Sequence, residues 1–188
     1  MKKIVLAVLC ALFAVAAYCQ NEYETRFMRF YVPDCLGSPF SVSVDTYILI
    51  TEKDSMFIKT HANFNYNASE FSYFQKYAIP KGNSLYLELD NGDTIKLTCS
   101  LDKDEPDGFV TTKNGVYQNY AGYSYFPVNA DIIDRLKNHN IIKVRGQFKF
   151  EEIDGSMQFT SNSDMPNTKT DFLRSVQSVL ERHKSAKK

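Results

Sequence analysis

Leu85-Tyr86-Leu87-Glu88-Leu89-Asp90-Asn91-Gly92-Asp93-Thr94-Ile95-Lys96-Leu97-Thr98-Cys99 is the stretch that decides the fold. Leu85, Leu87 and Leu89 alternate with more polar neighbours, and Ile95, Leu97 and Cys99 repeat the pattern after the turn. A period of two belongs to a strand with one buried face, because successive side chains point to opposite sides. Asn91-Gly92 between two such runs predicts a β-hairpin with positive φ at both residues. The same register turns Cys99 toward the core with the leucines.

The period continues in both directions. Val42, Val44, Thr46, Ile48 and Ile50 share one face of a strand over Val42–Ile50, with Asp45 and Tyr47 on the other. Over Ile58–Tyr66 the inward set is Ile58, Thr60, Ala62, Phe64 and Tyr66, against Lys59, His61, Asn63 and Asn65. Ile141–Phe150 alternates in the same way, and further strands are predicted at Phe27–Val32, Phe71–Ile79, Val116–Phe126 and Met157–Thr160. About eight or nine strands with frequent turns predict a mainly β (α+β) chain, an antiparallel sandwich or open barrel. Asp102–Gly108 and Ser161–Asn167 read as surface loops.

Two segments switch to helical spacing. Asn129 caps a short helix running to Leu136, with Asn138-His139-Asn140 ending it. A C-terminal helix begins near Thr168, where Thr168 and Asp171 have the spacing of a capping box. Phe172, Leu173, Val176, Val179 and Leu180 form its apolar stripe, and the basic residues after Leu180 suit the negative end of the helix dipole. A stripe that continuous predicts a helix docked on its own sheet and a closed monomer.

Met1-Lys2-Lys3, the apolar run Ile4–Ala17 and the polar turn at Tyr18-Cys19-Gln20 have the three-part layout of a secretory signal peptide. The run is shorter than the roughly 20 residues of a bilayer-spanning helix. Residues 1–19 therefore read as a signal peptide and 20–188 as one β-rich domain, with no integral membrane span in the mature chain. The expected location is the periplasm, the outer surface or the medium. Lipidation at Cys19 is the variant reading, disfavoured by Tyr18 just before it. Of 188 residues 44% are hydrophobic, and 22 basic residues balance 22 acidic ones. No basic excess marks a nucleic-acid binder.

After processing, Cys35 and Cys99 remain, and an even pair in an exported chain predicts a disulfide. It would close a loop of about 65 residues, worth roughly 4 kcal/mol in the chain-entropy model. Cys35 as a nucleophile with His61 or His139 is the lesser reading, and His61 reads as a solvated strand residue. His61, His139 and His183 show no metal-ligand spacing, and no nucleotide loop or G-x-S-x-G elbow occurs, so neither metal nor cofactor is expected. The acidic run Asp102–Gly108 fails the EF-hand pattern, with Pro106 fifth and Lys113 twelfth. Acids at Glu88, Asp90, Asp93, Glu151, Glu152 and Asp154 could serve a glycosidase only as a facing pair across a cleft.

The surplus is aromatic. Tyr117, Tyr123 and Tyr125 fall on one strand face, and tyrosines on an exposed sheet face stack on sugars or anchor a protein. The competing reading packs that face under a helix or second sheet. Absence of tryptophan weighs against a glycan.

Tyr125-Phe126-Pro127-Val128-Asn129-Ala130-Asp131-Ile132-Ile133-Asp134-Arg135-Leu136, then Ile142-Lys143-Val144-Arg145, with the Leu85–Asp93 segment and the C-terminal helix, resembles small exported β-rich proteins of Gram-negative bacteria. The resemblance covers about residues 80–182. It implies an exported single domain and transfers no catalytic residue. The sequence thus predicts an exported, non-enzymatic domain that binds or assembles through its surface, with a protein or glycan partner. A β-barrel holding a lipid or sugar, and a glycan hydrolase with unidentified carboxylates, are the alternatives.

Overall fold

The computed structural model describes residues 23–32, 42–51, 53–67, 78–112, 115–150, 155–162 and 167–187. The signal-type segment 1–19, Cys35 and the acids Glu151, Glu152 and Asp154 lie outside these residues.

Among the described residues nine antiparallel strands form two sheets. Strands β1 (Tyr23–Val32), β2 (Val42–Ile50), β3 (Met56–Asn67), β6 (Leu101–Thr112) and β7 (Gly115–Pro127) make a five-stranded sheet ordered β1-β2-β3-β7-β6. Strands β4 (Ser84–Leu89), β5 (Thr94–Thr98), β8 (Ile141–Phe150) and β9 (Gly155–Asn162) make a second, ordered β5-β4-β8-β9. The sheets stack as a sandwich and do not close into a barrel. Helix α1 (Ala130–Asn138) bridges β7 and β8, and α2 (Thr168–Ala186) ends the chain. Among the described residues no helix is long and apolar enough to cross a membrane.

The period-2 faces meet inside. Val44, Ile48, Ile58 and Phe126 from the first sheet pack with Leu85, Leu87, Leu89, Ile95, Leu97 and Val144 from the second. Phe172, Val176 and Val179 of α2 join this cluster, with the rings of Phe172 and Phe27 edge-to-face at 5.0 Å. α2 lies against β1 and β2 on the core side of the five-stranded sheet. Its Ser175 hydroxyl and Arg182 guanidinium donate to the carbonyls of Arg26 and Glu24 on edge strand β1.

Several local expectations change. At the β4–β5 turn only Gly92 takes positive φ. The Gly92 N–H donates to the Leu89 carbonyl at 3.0 Å and the Leu89 N–H to Asp93 at 2.8 Å, so a three-residue loop with a left-handed glycine replaces the two-residue turn. Asp102–Gly108 is not a loop but part of β6. It forms the sheet edge and carries a bulge between Pro106 and Gly108, where a residue without an N–H is tolerated. Ser161 and Asn162 likewise belong to β9. Of the expected strand Phe71–Ile79, residues 71–77 lie outside the described set, while Ala78 and Ile79 are buried without strand pairing.

Asn129 caps α1 as expected, its side chain accepting from the Ile132 N–H at 2.9 Å. Thr168 does not cap α2: its hydroxyl accepts instead from the buried Ile141 N–H at 2.6 Å, tying the helix start to β8. The expected apolar stripe also divides. Phe172, Val176 and Val179 are buried, whereas Leu173 is 44% and Leu180 37% exposed.

Candidate functional site

On the five-stranded sheet the pleat turns one set of side chains away from the core, and the ladder arranges them in two rows. Asp45, His61, Tyr123 and Lys103 are successive partners across β2, β3, β7 and β6; Tyr47, Lys59, Tyr125 and Leu101 form the adjacent row. Two of the tyrosines singled out by the sequence, Tyr123 and Tyr125, thus stand beside Tyr47, Lys59 and His61. Tyr117 lies further along β7, opposite Asn67 and Val110.

Lys59 is the centre of this face. Its ammonium lies 5.0 Å from the Tyr123 ring centre and 5.8 Å from those of Tyr47 and Tyr125. Aromatic faces attract a cation at these distances through the ring quadrupole. Glu24 on β1 completes the site with a carboxylate oxygen 2.6 Å from Nζ. The Lys59 side chain is only 11% exposed, so its charge is held by one carboxylate and three rings. Such burial would be costly for an unpaired ammonium.

Next to this cage, His61 stacks on Tyr123 with ring centroids 4.6 Å apart and planes 10° from parallel. The expectation of a solvated His61 therefore gives way to a histidine ordered against an aromatic ring. Asp45 accepts two hydrogen bonds from Arg29, at 2.7 and 2.8 Å, and one from Arg26 at 3.2 Å. Burial pushes the Asp45 carboxyl up, but the Arg29 hydrogen bonds and charge, with Arg26 beyond, outweigh it and hold the group below the usual carboxylate range. Burial, with Asp45 and Glu24 nearby, pushes the Tyr47 phenol up, keeping it a neutral hydrogen-bonding group at neutral pH.

The other candidates serve local structure. Glu88 pairs with Arg145 at 2.8 Å and Lys143 at 3.4 Å. Asp90 is held by Asn140 and His139, and Asp93 lies 3.6 Å from Arg135. His183 is buried against Asp54 at 2.7 Å, where Lys187 also binds. Cys99 is buried, its thiol donating to the Leu101 carbonyl at 3.1 Å, and burial pushes its pKa up, away from thiolate chemistry. Among the described residues no three His, Cys, Asp or Glu side chains gather as a metal site.

Tyr47, Lys59, Asp45 and Arg29 were not legible as site residues in the sequence. Asp45, Tyr47 and Lys59 showed only as outward positions of their own strands, and Arg29 only as a member of the strand Phe27–Val32. The signal that joins them to Tyr123 and Tyr125 is the register across four strands, β1, β2, β3 and β7, which no local pattern carries. No protein-family model, curated protein or solved structure matches the chain.

Proposed function

We propose that the chain is an exported, non-enzymatic binding domain that engages a protein partner through the tyrosine face of its five-stranded sheet. The observation that carries this reading is the Lys59 cage: three tyrosines and a salt-bridged lysine ordered on the side of the sheet turned away from the core. Tyrosine and arginine are the residues on which protein interfaces concentrate their energy, because a rigid amphipathic ring loses little entropy on binding. Here the rings are already fixed by Lys59 and His61, and Arg26 and Arg29 border them. Export is supported by the basic leader and apolar run at residues 1–17. The open sandwich with a core of packed side chains favours its surface over its interior as the place of binding.

The test compares wild type with Tyr123→Ser/Tyr125→Ser as baits in envelope extracts of the native host, read by quantitative mass spectrometry. A protein captured by wild type and lost with a folded double variant is the expected result. Identical captures on both baits would overturn the reading. Retention of wild type alone on purified cell-wall glycan would move the partner to a glycan.

A further inference from the structure

Docking of α2 leaves part of its apolar surface out. Leu173 and Leu180 stand seven residues apart, so they share one face of the helix. With Lys137 at the end of α1 and with Arg174, Glu181 and Lys184 of α2, they line an open groove of about 550 Å³. The groove runs from Thr170 to Lys184, about 21 Å at 1.5 Å per residue.

We propose that this groove is a self-association surface, in which α2 of a second copy lies antiparallel to the first. The charge pattern selects that occupant. Arg174 and Glu181 lie on the same flank of the leucine pair, one at each end. A twofold axis passing beside Gln177 and Ser178 brings Arg174 level with Glu181 of the second copy, and Glu181 level with its Arg174. Two reciprocal ion pairs then border a core made of two Leu173 and two Leu180 side chains. Parallel helices would instead set Arg174 against Arg174. Such self-complementarity is what an isologous dimer requires. Both charges are available for exchange: Arg174 is 78% exposed and reaches Asp171 only at 3.8 Å, while Glu181 accepts a hydrogen bond from Gln177 within its own helix.

A single helix pair is small for an interface, so the dimer belongs to the weak class and forms at high protein concentration. It does not engage the tyrosine face, because α2 lies on the core side of the sheet. A bivalent binder follows, with avidity for a clustered partner; this consequence, unlike the pairing itself, rests on the proposed function.

Sedimentation velocity of the processed protein across a concentration series tests the pairing. Wild type should pass from monomer to dimer as concentration rises. Arg174→Glu and Glu181→Arg should each remain monomeric at least tenfold higher in concentration, with unchanged melting temperature because both side chains are exposed. An equimolar mixture of the two variants should recover the dimer, since one chain then carries two acids and the other two bases. Leu180→Ser should abolish pairing in every combination. Wild type that stays monomeric throughout would overturn the proposal, as would a dimer indifferent to either charge reversal. Leu173 and Leu180 methyl resonances that move with dodecanoate in a monomer would assign the groove to an acyl chain and overturn it equally.

Discussion

Glu24 and Lys59 form an ion pair of 2.6 Å although β2 runs between their strands. The contact crosses β2 beside the Tyr47 ring, 5.8 Å from the ammonium. An aliphatic stem covering apolar surface while its charged end reaches a partner is the ordinary behaviour of lysine. Here it links three strands of one sheet and orders the rings beside it. The pair is therefore part of what keeps the proposed binding face in a single arrangement before a partner arrives.

Removing one member should show that dependence. Lys59→Ala leaves Glu24 without its cation and three rings without theirs, at a cost of about 1–2 kcal/mol. Lys59→Met with Glu24→Gln retains volume and removes both charges, and should lie within about 1 kcal/mol of wild type. Urea unfolding of the single and double variants gives the coupling energy.

Asp45 predicts an acid limb of stability. Its folded pKa is depressed, so its contribution is fully present above the unfolded value near 3.9 and is lost as pH falls through the folded value. Asp45→Asn should therefore be less stable than wild type at pH 7, by about 1–2 kcal/mol. That gap should close at pH values below the ordinary carboxylate range. Thermal melts of both proteins from pH 7 to pH 2 measure it, and a gap independent of pH would contradict the assignment.

The strands were largely legible because a half-buried strand writes its environment into every second residue. β2 and β8 have the expected bounds, and Leu85, Leu87 and Leu89 are inward as predicted. What failed depended on neighbours. Asp102–Gly108 is acidic and contains proline, the composition of a turn, yet an edge strand tolerates both because one side of its ladder is unpaired. Thr168 looked like a cap until β8 supplied a competing donor. Leu173 fits the helical stripe by period, but it stands about 100° around the helix from the buried Phe172, at the exposed edge of the stripe. The binding face was half visible: Tyr123 and Tyr125 follow from alternation, while the lysine between them comes from another strand.

Thr168→Val should cost about 1–3 kcal/mol, because the buried Ile141 N–H loses its acceptor and gains none. Hydrogen exchange localises the effect: the Ile141 amide should lose protection while amides of β2 and β3 keep theirs. Thr168→Ser, which retains the hydroxyl, should restore most of it.

Cys99 is a buried thiol in the structure, and its pairing with Cys35, which lies outside the described residues, rests on the sequence expectation of export. Protein folded under oxidising conditions should yield a Cys35–Cys99 peptide on non-reducing digestion, and replacing both by serine should lower stability by about 2–5 kcal/mol. Two alkylatable thiols in oxidised, folded protein would contradict it.

On the proposed function, the tyrosine face is where the partner is received. Site-specific photo-crosslinking in the native host tests it most directly, with benzoylphenylalanine placed singly at Tyr47, Tyr123 and Tyr125 and, as controls on the outward side of the other sheet, at Thr94 and Lys96. One adduct of common mass is expected from the three tyrosine positions and none from the controls. Adducts from Thr94 and Lys96 alone, or none from Tyr47, Tyr123 and Tyr125, would contradict it.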